Sequence, residues 1–594
     1  MRLKLLLGVV FSVVTAFAAV AGDLAVSSYW QDHMVLQRDN PITVWGKDAA
    51  GRSVTVSFAG QTANAVTGSD GFWETTFTQP FAVSTTAQTL TISDNGGETL
   101  EIADVLVGDV FLAAGQSNMD RTLSFNTTFQ EPQAVKDFCR DDDGIRFIRI
   151  ARSAENSRSG EEQLFDLPEI KAVNDGIKYY GWGHDWAVAA GDAKNFVSSV
   201  ALNFARYIRD SQAAKGQDLP IGIIHASSGG TAIRQWISSS VLAENGYTPA
   251  TGDAWYWNSM MAPILRAKFR AVLWYQGCSD AEMDPAQYED LMHILVQDRR
   301  NRWGDHGDLP FYAVQIGTPG YGPSTGTMTL DRYPAPTLTK TGSNYAHIRE
   351  AQRCWDATET GEHGLAVIVD HVNCMGAEDL HPVDKNFVGR RLSLFARRDI
   401  YGETGLQVEG PVFARAVRET DGKVRISFKP GTAKGLTSGR LKMAGELSVS
   451  RFVKESSPIK GFALGDAAGN WKDAEATVDG ETIVLAAEGI SNPTKFHYGY
   501  WCITRTDNTE FGQRLSLYNG DGLPLSPLAP MSVEDANTGT KTADPVFSPE
   551  PGFFSPSTNV TLACATTGAT IHYTLDGTEP TASSTAYASP IAIS

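Results

Sequence analysis

From Asp23 to about Ile102 apolar and polar residues alternate: Val54, Val56 and Phe58 share one face of an extended segment, and Gly68-Ser69-Asp70-Gly71 supplies a turn before Phe72-Trp73. This predicts a small antiparallel β domain over 22–103. The rhythm then changes. Mostly apolar runs at 105–114, 221–224, Ala271–Tyr275, Phe311–Val314 and 365–369 have the length of buried strands, while Phe196, Val200, Phe204 and Ile208 fall on one helical face. Alternation of this kind predicts an α/β domain over 104–402, a parallel sheet covered by helices, with its reactive groups beyond the carboxyl ends of the strands. Period-two alternation returns at Val424-Arg425-Ile426-Ser427-Phe428, with a turn region at 465–471, and predicts a second β domain over 403–531. The stretch 532–544 is polar and reads as a linker to a last β module over 545–594. That module stops within a predicted strand, so we expect it to be truncated.

Arg2 and Lys4 precede an apolar run that closes on Ala19-Val20-Ala21 ahead of Gly22, the pattern of a cleavable export signal over 1–21. No later stretch approaches spanning length, so the mature protein is expected to be exported to the periplasm, the cell surface or the medium, without stable membrane insertion. A chain of 594 residues is long enough for about four domains. Its 50 Lys plus Arg against 68 Asp plus Glu give a net charge of −18, and the lack of a long basic run argues against a nucleic-acid partner. Six scattered cysteines (Cys139, Cys278, Cys354, Cys374, Cys502, Cys564) form no CxxC pair, and there is no HExxH, so neither a disulfide-built fold nor a metal site is expected. Export permits one or two disulfides, with Cys354 and Cys374 a candidate pair.

The chemistry-bearing residues follow the predicted strands. The first strand runs into Gly115-Gln116-Ser117-Asn118-Met119, where a small residue beside a serine allows a sharp turn that exposes the hydroxyl. This is not the GxSxG elbow, and an ordinary strand-to-loop turn has the same composition. The second ends in His225-Ala226-Ser227-Ser228-Gly229-Gly230-Thr231, whose glycines can turn backbone N–H groups toward an oxyanion. The third ends in Trp274-Tyr275-Gln276-Gly277-Cys278-Ser279-Asp280, where Gln276 can offer its amide to the same oxyanion. Cys278 lacks an activating group and reads as a partly buried thiol rather than a nucleophile. Finally, Glu378-Asp379-Leu380-His381-Pro382 joins one of the 11 histidines to two nearby carboxylates, the pairing a hydrolytic serine needs for a base of fixed tautomer.

In this order the four blocks resemble the SGNH hydrolases, and within them the sialate O-acetylesterase group of carbohydrate esterases. Gly115-Gln116-Ser117-Asn118-Met119 is similar to its nucleophile block, Ser228-Gly229-Gly230-Thr231 to its second, Trp274-Tyr275-Gln276-Gly277 to its third and Asp379-Leu380-His381-Pro382 to its histidine block. Asp32-His33-Met34-Val35-Leu36-Gln37-Arg38 and Val44-Trp45-Gly46 resemble the β domain that precedes the catalytic domain in this group. The resemblance spans roughly 24–530. It departs at Cys278, where Glu is usual, at Asp280, where Asn is common, at Ser228 for Trp and at His225 for Asn, which leaves sugar specificity open. Pro545-Val546-Phe547-Ser548-Pro549 and Asp576-Gly577-Thr578-Glu579-Pro580-Thr581 resemble the small β module at the C-termini of chitobiases and β-hexosaminidases.

The resemblance implies an SGNH-like α/β fold flanked by β-sandwich-like domains, and a serine esterase that removes O-acetyl groups from an acetylated glycan or sialoside without metal or cofactor. Ser117 would be the nucleophile, His381 the base and Asp379 its orienting acid, with Glu378 as the alternative. The oxyanion hole would comprise the N–H groups of Ser117 and Gly230, assisted by Gln276. Two alternatives stand: acetylated xylan or another glycan as substrate, and a carbohydrate-binding protein with an inactive esterase domain.

Overall fold

In a computed structural model of the chain, the described residues are 24–124, 131–150, 184–304, 308–317, 344–370, 381–382, 384–442, 451–500, 515–535, 543–549, 558–566, 568–575, 580–581 and 584–593. The export signal expected over 1–21 lies outside them, as do Glu378 and Asp379.

The N-terminal part pairs Ala25–Val26, Ile42–Lys47 and Phe72–Phe77 in one sheet, and Ser53–Phe58 with Gln61–Val66 and Ser84–Asp94 in another. Val54, Val56 and Phe58 are buried and the residues between them are not, as alternation demands. Strand β1 (Thr99–Gly115) then carries the chain into the α/β half without a break. Its first residues pair antiparallel with Ser84–Asp94 and alternate in burial; from Val105 every residue is buried. A strand covered on both faces reads as a continuous apolar run, so the burial pattern marks where a one-sided sheet becomes a two-sided one. The boundary expected at 103/104 therefore falls inside one strand.

The central sheet comprises β1, β2 (Asp142–Arg149), β3 (His184–Ala189), β4 (Ile221–Ser227), β5 (Ala271–Tyr275), β6 (Phe311–Val314) and β7 (His363–Ala366), in the order β3-β2-β4-β1-β5-β6-β7. All neighbours are parallel except β3, which runs antiparallel on the edge. The chain leaves β1, builds β2, β3 and β4 to one side, then returns to build β5 to β7 on the other. The exit of β1 is thus the switch point of the sheet, where open α/β folds place their ligands. The register brings Gly115 level with Ser227 of β4 and Tyr275 of β5, so the first three motif blocks emerge side by side.

The helices that cover the sheet include α1 (Ser117–Asp120), α2 (Ser199–Ala213), α3 (Pro285–Trp303), α4 (Asn344–Thr358) and α5 (Asn386–Asp399). Helix α2 starts at Ser199, capped by Ser198 Oγ, which accepts from Ala201 N at 3.3 Å; Val200, Phe204 and Ile208 are buried as predicted, and Phe196 falls in the 3₁₀ turn before it.

One core runs through both the N-terminal strands and the α/β half; a second fills the later β region. That region contains Phe413–Arg418, Val424–Phe428 and Thr482–Ala486 in one sheet and Phe462–Gly465 paired with Trp471–Asp473 across the predicted turn. The expected linker needs correction at its start. Glu534–Asp535 pairs with Phe413–Arg418, and Arg415 and Arg418 form ion pairs with Glu534 and Asp535. Cys354 is a free, half-buried thiol, and Cys374, its candidate partner, lies outside the described residues. The C-terminal module pairs Val546–Ser548, Thr558–Ala563 and Ile591–Ile593. Among the described residues no helix is long and apolar enough to cross a membrane.

Candidate active site

Gly115 ends β1 with φ +136, and a Cβ there would lie 2.3 Å from Tyr275 O. Only glycine can make this bend. Gln116 N then donates to Tyr275 O at 2.9 Å, and Gln116 Oε1 accepts from Gly277 N at 3.0 Å and Ser279 N at 3.2 Å. The residue before the serine thereby ties the exit of β1 to that of β5, and Ser117 starts the single turn of α1, half-buried at the switch point.

Ser117 Oγ lies 2.8 Å from Nε2 of His381, across 264 positions of sequence. The other ring nitrogen, Nδ1, receives Arg121 Nη2 at 2.7 Å. A guanidinium can only donate, so in this arrangement Nδ1 accepts and Nε2 carries the proton. Pattern reading gave no sign of Arg121, which reaches the imidazole from the turn that follows the nucleophile. The second block packs against the serine: a Cβ on Gly229 would lie 3.5 Å from Ser117 Cβ, and Gly230 turns the chain with φ +73.

Gln276 does not serve as expected. Its amide nitrogen donates to Thr231 O at 2.8 Å and to Asp280 Oδ2, and the side chain is fully buried. With both amide hydrogens committed, it cannot also donate to an oxyanion; it braces the third block against the second. Asp280, where Asn is common, acts as the acceptor of this brace and also takes Ile233 N at 2.9 Å. Burial raises its carboxyl to about 6, while these two donors hold it down. Cys278 is buried and its thiol is pushed up to about 12, chiefly by burial, which removes it as a nucleophile.

His225 forms a second Ser-His-Asp array that cannot act as a base. Its Nδ1 accepts Ser198 N–H at 3.2 Å, so Nε2 carries the proton and donates to Ser227 Oγ at 2.5 Å, which in turn donates to Asp120 Oδ1 at 3.3 Å. The ring is fully buried and its pKa falls well below the ordinary value, through burial first and then the charge of Arg149. It works as a neutral strut under α1.

Lys385, four residues after His381, reaches back to the nucleophile turn. Its buried ammonium donates to Asn118 Oδ1 at 2.6 Å and lies 5.6 Å from the Tyr275 ring centroid. Buried Glu131 accepts Lys385 N at 3.2 Å and Ser199 Oγ at 2.8 Å; burial and Asp384 raise its carboxyl to about 8 against the pull of Lys385. Removing one partner of such a cluster leaves the others buried and uncompensated. Lys385→Met should therefore lower the unfolding free energy by about 3–5 kcal/mol, measured by urea titration. A loss below 1 kcal/mol would show that the ammonium is not part of the clamp.

The second β region also reaches this end of the sheet. Asp370, at the exit of β7, holds Arg391 Nη2 at 2.7 Å and accepts Tyr518 OH at 3.0 Å, all three buried. The root of the segment that leads to His381 is thus fixed by a residue from beyond the α/β half.

Residues 107–347 match the family described as carbohydrate esterase, sialic acid-specific acetylesterase, and 549–594 match the chitobiase/β-hexosaminidase C-terminal domain. The sialate O-acetylesterase of Mus musculus is 27% identical over 468 residues, covering 68% of this chain and 79% of its own. That of Homo sapiens is 27% identical over 417 residues, covering 65% and 73%. The crystal structure of a carbohydrate acetylesterase from Xanthomonas citri superposes with a TM-score of 0.65 at 28% identity, over 85% of this chain and 99% of that one. The segment 107–347, with Ser117, the glycine pair and Gln276, is thus similar to the sialic acid-specific acetylesterases among the carbohydrate esterases.

Proposed function

We propose that this chain is an exported serine esterase that removes O-acetyl groups from carbohydrates, with O-acetylated sialic acids as the substrate class. The observation that carries the reading is the 2.8 Å approach of Ser117 Oγ to His381 Nε2 at the switch point of the sheet. The parallel sheet and the order of the motif blocks favour the SGNH type.

For attack, Nε2 must be free to accept the hydroxyl proton, so the ring must carry its proton on Nδ1, against a carboxylate. Asp379 is the acid assigned to this task, and with the proton on Nδ1 that nitrogen no longer accepts from Arg121. Ser117 Oγ then bonds to the acetyl carbon as its proton passes to Nε2. The N–H groups of Ser117 and Gly230 stabilise the oxyanion, a contribution of about 3–4 kcal/mol per donor in comparable sites. His381 returns the proton to the sugar oxygen, which leaves as the alcohol; water attacks the acetyl-enzyme with His381 again as base, and acetate departs.

The test is acetate release from a panel of O-acetylated sialosides, acetylated xylan and acetylated pectin. Preferential release from the sialosides supports the reading, preference for xylan moves the substrate class, and no release from any substrate would leave a carbohydrate-binding role.

A chain ending at Asp535, which retains the Glu534–Asp535 pairing and lacks only the C-terminal module, should hydrolyse a soluble acetyl ester within about twofold of the full-length rate. A large loss of kcat in the folded shorter protein would place the module at the site.

A further inference from the structure

Asp48, the residue after the strand Ile42–Lys47, is 4% exposed, and its Oδ2 meets no hydrogen-bond donor among the described residues. The other oxygen, Oδ1, accepts Ala49 N at 2.6 Å. A carboxylate oxygen taken out of water without a donor is unfavourable unless a cation reaches it. Asp94 and Glu98 bring further negative charge to the same place: one carboxylate oxygen from each of the three residues lies within 4.8 Å of the others. The Asp94 side chain is 1% exposed, whereas Glu98 is exposed and leaves a way in from solvent.

The surrounding groups do not neutralise this cluster. Asp94 Oδ1 accepts Glu98 N at 2.7 Å and Glu98 Oε2 accepts Leu24 N, uncharged backbone donors that hold the side chains in place. Arg52 approaches, but its Nε stays 3.7 Å from Asp94 Oδ2, beyond hydrogen-bond distance, on a side chain 43% exposed. One solvent-screened guanidinium against three carboxylates leaves the group net negative.

The donor set specifies the kind of cation. Three carboxylate oxygens, with no imidazole or thiolate among them, suit a hard divalent ion rather than zinc or copper. Ca²⁺ bonds oxygen at about 2.3–2.6 Å and so joins oxygens up to about 5 Å apart; Mg²⁺, at about 2.0–2.1 Å, joins only those within about 4.2 Å. The spread of the three oxygens matches the larger ion.

We infer that Asp48, Asp94 and Glu98 form a Ca²⁺ site of the N-terminal β domain, with water completing the coordination shell. The ion joins the two sheets of that domain, since Asp48 leaves Ile42–Lys47 in one, Asp94 ends Ser84–Asp94 in the other and Glu98 leads into β1. Ser117 lies just past the opposite end of this 17-residue strand, so the ion supports the fold and takes no part in the acetyl chemistry. The site stands independently of the esterase reading.

The test uses the full chain, dialysed against EDTA and then into metal-free buffer, and titrated with CaCl₂ in a calorimeter and in thermal unfolding. We expect one saturable Ca²⁺ per chain with a Kd of about 10⁻⁴–10⁻³ M, the range of extracellular modules, and Mg²⁺ at least about tenfold weaker. Because the ion binds the folded chain, saturating Ca²⁺ should raise the unfolding midpoint by at least about 3 °C. Asp48→Asn and Glu98→Gln keep the side-chain shape while removing a charged ligand, and each should weaken Ca²⁺ binding at least about tenfold and abolish the rise. Glu74→Gln, on the same domain but outside the cluster, should leave both unchanged. Glu98 is exposed, so Glu98→Gln keeps the test decisive where Asp48→Asn does not fold. Absence of saturable binding, equal affinity for Mg²⁺, or Ca²⁺ binding that survives both substitutions would overturn the inference.

Discussion

Ser117→Ala should lower kcat on any acetyl ester by at least about a thousandfold while the unfolding midpoint stays where it was. Both halves of this expectation come from the bend at the end of β1. The hydroxyl's partner is the imidazole of His381, and no backbone group of α1 leans on it. The neighbours carry the structural work instead: Gln116 stitches β1 to the exit of β5, and Asn118 takes the Lys385 ammonium. Alanine thus removes the attacking oxygen and leaves the turn intact. Steady-state kinetics with a denaturation curve on the same preparation check the pair, and activity within tenfold of wild type would sink the assignment.

The readable and unreadable parts of the chain divide on physical lines. Ala271–Tyr275, Phe311–Val314 and Val424–Phe428 form strands where the pattern predicts them, because each is a short run whose burial is set by its own side chains. Helix α3 escaped because it buries Asp298, Arg299 and Arg300 beside Leu291, Leu295 and Val296, which erases the apolar stripe. Its start was nonetheless signalled by Asp284-Pro285: Asp284 Oδ1 accepts from Ala286 N at 3.0 Å and Gln287 N at 3.2 Å, with proline at the first helical position. At the site, the serine and the histidine are legible as motif residues, since each block is local. The direction of the Gln276 amide is not, because Thr231, 45 positions away, sets it. Nor is the approach of Arg121 to His381, which depends on two loops meeting across the sheet.

Asp379→Asn should cost up to about 10⁴ in kcat, more than Glu378→Gln. In an extended segment residues two apart point the same way, which favours Asp379 as partner of His381, whereas a helical turn would favour Glu378, three residues away. Pro382 biases His381 toward extended backbone, and the shorter aspartate side chain holds an imidazole with less freedom. The expected loss has a second source in Arg121. A carboxylate at Nδ1 can displace the guanidinium and keep the proton on that nitrogen; an uncharged amide leaves Arg121 donating to Nδ1, with the proton on Nε2, where it blocks acceptance from Ser117. Asp379→Asn should therefore fall most steeply on substrates that need full base catalysis, and Arg121→Gln in that background should recover part of the rate by releasing Nδ1. The measurement is kcat and kcat/KM for Asp379→Asn, Glu378→Gln and the Asp379→Asn/Arg121→Gln pair. If Glu378→Gln is the more damaging change, the acid is Glu378; if neither costs tenfold, Ser117 and His381 work as a dyad.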